Sequence, residues 1–146
     1  MKILVLATNY TVPNSVVASH FIHSRNLLYI KEGIDVSVLS FATKNDYEID
    51  GVKVFTQSTI VDKLENERYD IVLSHAPNLR NHYRFLKKHS ENFNQIIYYF
   101  HGHEVLIRSK IYPKPYDYTK RDSVINKIVS EAYDRFKLIV LGKHFK

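Results

Sequence analysis

The chain contains no cysteine, which excludes disulfide frameworks, thiolate metal sites and cysteine nucleophiles together. No apolar run approaches the roughly 20 residues that a membrane-spanning helix requires. The loop after the first apolar run holds no G-x-G-x-x-G and no G-K-[ST], so a dinucleotide fingerprint and a P-loop are both missing. H-E-x-x-H is absent as well. There is no linker and no low-complexity segment. Lys2–Ala7 is too short for a secretory h-region and runs into polar Thr8 and Asn9, so a cytoplasmic chain is expected.

What remains is globular composition. At 146 residues the chain is long enough for one domain with its own core. Hydrophobic residues make up 45% and charged residues 25%, which argues against disorder. The formal charge of +6 suits an anionic partner: a phosphate, a nucleic acid or an acidic membrane face.

Apolar runs alternate with helical spacing along the whole length. Met1–Ala7 has the pattern of a strand buried on both faces. Residues 17–32 carry Val17, Phe21 and Leu28 at helical spacing, with Gly33 placed to end the helix. Ile34–Leu39 is a second strand, and YEIDGVKVF reads as a hairpin turning at Asp50-Gly51. Ser58 or Thr59 caps a short helix carrying Ile60, Val61 and Leu64. A strand over Tyr69–Ser74, a helix over Leu79–His89 and a strand over Gln95–Phe100 follow. Asp122 opens a helix with Ile125, Ile128 and Phe136 on one face, and Leu138–Leu141 closes as a strand. The expected fold is therefore α/β: a Rossmann-like three-layer sandwich with a mostly parallel sheet, plus a small β-hairpin. Residues 1–146 form a single domain in this reading.

Ligands of such sheets collect beyond the carboxyl ends of the strands. Three loops qualify: Thr8–Ser15, the segment after Ser74 and the segment after Phe100. The last begins His101-Gly102-His103-Glu104. An imidazole at a strand tip can exchange hydrogen bonds with a sugar hydroxyl, Gly102 permits a sharp turn, and Glu104 can orient a ring. The alternative is a polar turn whose histidines satisfy backbone groups. A metal reading joins His75 to His101 and His103 and makes the chain a metal-dependent hydrolase, but a bare H-x-H lacks the remaining ligands. In the first loop, Asn14 and Ser15 are helix caps or anion contacts. His20 and His23 share a helix face expected to meet solvent. IRSKIYPKPYDYTKR interleaves Lys110, Lys114, Lys120 and Arg121 with tyrosines, which suits a mobile active-site loop or an anionic membrane surface. No cationic stripe runs along one helix, so nucleic acid is not expected.

These segments resemble the amino-terminal domain of GT-B-fold retaining glycosyltransferases, the family 4 group. MKILVLATNYTVPNS is similar to that family's first strand and loop, SRNLLYIKEGIDVSVLS to its helix–strand junction and YEIDGVKVF to its hairpin. YDIVLSHAPN, YYFHGHE and AYDRFKLIVLGKHFK resemble its later strands, so the likeness covers nearly the whole chain. The resemblance implies that His101 is catalytic beside the transferred sugar, with Glu104 in the same motif. It also implies substrate contacts from Asn9, Asn14, Ser15, His75, Gly102 and His103. No metal and no cofactor is implied in this chain. The family's glycines in the first loop are missing here, and Gly142 stands where the family has serine. Family members continue into a second domain that binds the nucleotide-sugar and supplies paired glutamates. This half is then expected to be inactive alone. It would act with that carboxy-terminal domain or a partner subunit on a glycan or lipid-linked acceptor, in polysaccharide biosynthesis. A non-catalytic subunit, or a module docking peripherally on the inner membrane face, is the other reading.

Overall fold

Lys2–Ala7 form strand β1, and the five residues after Lys2 are buried. Burial on both faces requires cover on both, which the following elements supply. They are helix α1 (His20–Lys31), strands β2 (Asp35–Ser40), β3 (Tyr47–Ile49) and β4 (Val52–Phe55), helix α2 (Gln57–Leu64), strand β5 (Tyr69–His75), helix α3 (His82–His89), and strands β6 (Phe93–Phe100) and β7 (Phe136–Val140). The computed structural model describes residues 1–12, 20–75 and 81–101, together with the backbone of 136–140.

The strands make one seven-stranded sheet in the order β3-β4-β2-β1-β5-β6-β7. All neighbours pair in parallel except the edge strand β3, which runs antiparallel to β4. Without that edge strand the parallel order is that of a doubly wound Rossmann sheet. The order reverses between β1 and β5, so a crevice opens at their carboxyl ends, beyond Ala7 and His75. The expected α/β class and mostly parallel sheet are the observed ones.

The hairpin is more than an appendage. Its second strand, β4, is a full parallel member of the sheet beside β2. Asp50 (φ 50°) and Gly51 (φ 79°) both adopt positive φ, as a type I′ turn demands. Gly33, at φ 74°, ends α1, with the Ile34 N–H bonded to the Tyr29 carbonyl at 3.0 Å.

Alternate β1 side chains feed two cores. Ile3, Val5 and Ala7 pack with Ile22 of α1, Val38 and Val54. Leu4 and Leu6 pack with Ile60 and Leu64 of α2 and with Phe85 and Leu86 of α3. Helices thus cover both faces, giving the three layers.

Two expectations for α1 are corrected. Phe21 and Leu28 do not face the core; they are 53% and 62% exposed. The buried positions are Ile22, His23 and Asn26. His23 therefore does not share His20's exposure, because the two side chains lie about 60° apart around the helix and one falls inside. The stretch of that helix before His20 lies outside the described residues, as do the 122–135 segment, the 108–121 loop and Gly142.

The cap of α2 is Thr56, not Ser58 or Thr59. Its hydroxyl accepts from the Thr59 N–H at 3.3 Å, while Asp46 accepts from the Thr56 N–H at 2.7 Å and the Thr59 hydroxyl at 2.8 Å. Thr56→Ala is expected to cost about 1 kcal/mol in urea unfolding. An unchanged midpoint would show the cap to be dispensable.

Candidate functional site

The parallel register places His75, the last residue of β5, opposite Tyr99 of β6. Residues two apart on a strand share a face, so His101 emerges beside Tyr99 on the α1 side of the sheet. The His75 Nδ1 and the His101 Nε2 are 2.9 Å apart. Their ring planes differ by 14° with centroids 5.1 Å apart, which is edge-to-edge hydrogen bonding between nearly coplanar imidazoles. Tyr99 lies flat against His75, at 4.7 Å and 5°. Phe21 meets His101 edge-on at 4.8 Å and His75 at 6.2 Å. His75 is 3% exposed and His101 half-buried, so one ring of the pair is sealed and the other reaches the sheet's carboxyl edge.

Burial above all, then His101, Arg25 and His82, pushes the His75 pKa down to about 3. His75 is thus neutral near pH 7 and has a single ring proton to share. Its bond to His101 fixes that ring's orientation without adding charge.

Beneath the pair, α1 presents Phe21, Arg25 and Tyr29 at successive i, i+4 positions. The Arg25 guanidinium carbon stands 4.9 Å from the centre of the Tyr99 ring. Burial first, then a hydrogen bond with Tyr99, raises Tyr29 to about 12.

A second set of polar groups closes the switch point. His82, fully buried at the start of α3, bonds Ser74 through Nδ1 at 2.9 Å and Thr8 through Nε2 at 3.3 Å. Burial pushes its pKa down to about 3 as well. A neutral ring has one donor and one acceptor nitrogen, so both are used. Phe41 covers it at 4.7 Å.

A third network ties the first loop to the hairpin. The Asp50 carboxylate can only accept, so His23 donates from Nε2 at 2.9 Å. His23 Nδ1 then accepts from the Tyr10 hydroxyl at 2.9 Å, and Tyr10 accepts from the Asn26 amide at 2.9 Å. Burial raises the Tyr10 pKa well above its usual value.

Of the residues singled out in the sequence, the structure brings His75 and His101 into direct contact. Asn9 is exposed and lines a cavity of about 230 Å³ with Tyr10, Ser40, Thr43 and Tyr47, at the carboxyl ends of β1 and β2. Asn14, Ser15, Gly102, His103 and Glu104 lie outside the described residues. Among the described residues no group of three or more histidines and carboxylates is placed to hold a metal ion. Nor is any of their helices long and apolar enough to cross a membrane. The sequence alone does not mark Phe21, Arg25, Tyr99, Ser74 or His82 as site residues. The signal for Tyr99 was present in the two-residue strand period, and that for Arg25 in the 21–25–29 helical spacing. His82 left no such signal, since its partners lie on other segments, Ser74 8 residues away and Thr8 74.

No family model matches the chain, and no curated protein matches it. Among solved structures it is similar to a protein from Burkholderia multivorans assigned as a short-chain alcohol dehydrogenase. The TM-score is 0.57 and the identity 12%, over 95% of this chain and 82% of that one. The likeness is one of fold: a Rossmann-type sheet.

Proposed function

We propose that this chain is the acceptor-side domain of a retaining glycosyltransferase, moving a sugar from a nucleotide-sugar to a hydroxyl of a glycan or lipid-linked acceptor. The observation that supports it is the His75–His101 pair at the carboxyl edge of β5 and β6. In this reading His101 hydrogen-bonds the reacting sugar. His75, neutral and buried, holds the ring in place, and Phe21 screens it from water. Glu104 and His103, next in the sequence, support that orientation. The nucleotide-sugar is bound by a second domain or a partner subunit. Catalysis then rests on positioning and on hydrogen bonds that strengthen as charge develops.

The dehydrogenase chemistry of the structural neighbour is not carried over. The turn after β1 reads Thr8-Asn9-Tyr10-Thr11-Val12, with no glycine to let a pyrophosphate approach the backbone.

In the enzyme assembled with its donor-binding half, His101→Ala is expected to lower turnover by about a hundredfold or more. His75→Phe keeps the stacking on Tyr99 but releases the His101 ring, and a loss of about tenfold is expected, chiefly in kcat. Wild-type turnover in His101→Ala removes the imidazole from the mechanism.

A further inference from the structure

Arg25 is a permanent cation in a corner built from neutral rings. Its neighbours are the face of Tyr99 and, one turn earlier on α1, Phe21, which packs on the histidine pair. None of the ion pairs among the described residues includes it. Its Nη1 is shielded from solvent and has no hydrogen-bond partner among the described residues. An arginine cannot relieve this by losing its proton. The guanidinium carbon stands 4.9 Å over the centre of the Tyr99 ring, which eases the charge but supplies no hydrogen-bond acceptor to Nη1. A buried, charged donor left unpaired is among the costlier arrangements in a fold, and it persists where something else supplies the acceptor. The residue as a whole is only half-buried. Its charge is also felt at His75, whose protonation it disfavours.

We propose that Arg25, at the carboxyl edge of β5 and β6 beside the His75–His101 pair, is the anchor of an oxyanion subsite that takes a phosphate or carboxylate group of the ligand. The planar fork matches two oxygens of such a group. On the glycosyl-transfer reading, on which this identification of the ligand rests, the acceptor is an acidic one, a sugar phosphate or a uronate. The subsite itself does not depend on transfer.

The test uses the full chain, with ligand-induced thermal shift and calorimetric titration at matched ionic strength. The probes are inorganic phosphate and glucuronate, with glucose as the neutral control. The wild type is expected to show saturable binding of phosphate, of glucuronate or of both, and no equal response to glucose. A response to one oxyanion alone identifies the source as phosphate or carboxylate. In Arg25→Gln the affinity is expected to fall at least about tenfold. Arg25→Lys keeps the charge but loses the fork and is expected to fall between the two, which carries the test if the glutamine variant folds poorly. Absence of saturable binding in the wild type overturns the subsite, as does equal binding by Arg25→Gln or an equal response to glucose. Oxyanion binding that survives in His101→Ala while turnover is lost shows the subsite and the transfer chemistry to be separate properties.

Discussion

Acidification is expected to destabilise this domain steeply between about pH 6.5 and pH 3, with His75 and His82 as the cause. Both rings are buried, and both have pKa values pushed down from 6.5 to about 3 in the folded chain. Above the unfolded value neither state carries the protons, so the full stability is present. Below it the unfolded chain binds two protons that the folded chain refuses, and stability falls until the folded pKa is reached. Each ring contributes a slope of about 1.4 kcal/mol per pH unit, and the pair about 2.7. A domain of this size commonly has about 5–15 kcal/mol to lose, so two units of acidification remove a large share. Urea unfolding followed at several pH values between 7 and 4 measures the slope directly. A flat profile through pH 5 would mean that both imidazoles are reached by solvent or by a counter-charge, and half the slope that one of them is.

Removing His82 is expected to cost more than removing any single surface interaction. The ring is fully buried and links Thr8 at the end of β1 to Ser74 in β5, across the point where the strand order reverses. His82→Ala leaves a cavity under Phe41 and strands the Ser74 hydroxyl, which is itself 0% exposed. Together these are worth about 3–5 kcal/mol. Ser74→Ala removes one hydroxyl from the same chain and is expected to cost about 1 kcal/mol. The acid profile checks the assignment independently, since in His82→Ala the slope should drop from about 2.7 to about 1.4 kcal/mol per pH unit. A His82→Ala variant as stable as the wild type, or one with an unaltered acid slope, contradicts the role given to this ring.

The backbone plan was readable from local pattern alone. Uninterrupted apolar runs at 3–7 and 96–100, and the run 36–39 broken only by Ser37, mark strands covered on both faces, and Asp50-Gly51 marks the turn because few residue pairs tolerate two positive φ values. The carboxyl-end rule then pointed to His75 and His101 before any contact was visible. The orientation of α1 was not readable in the same way. Its sheet-facing side carries His23 and Asn26, which an apolar-stripe reading assigns to solvent, while Phe21 and Leu28 lie outside. The small part of the site that local pattern missed has the same origin. Arg25, His82 and Tyr10 are placed by partners 8 to 74 residues away on other segments or by a ring on a neighbouring strand.

Residue order, then, was enough for the strands, the hairpin and the edge of the sheet where polar groups gather, because these follow from backbone geometry and from burial periodicity within a few residues. Which polar side chains are sealed inside, and which nitrogen of each imidazole meets which oxygen or nitrogen, came from packing. A buried hydrogen-bonding group is tolerated only where a distant segment supplies its complement, and no short stretch of sequence contains that segment.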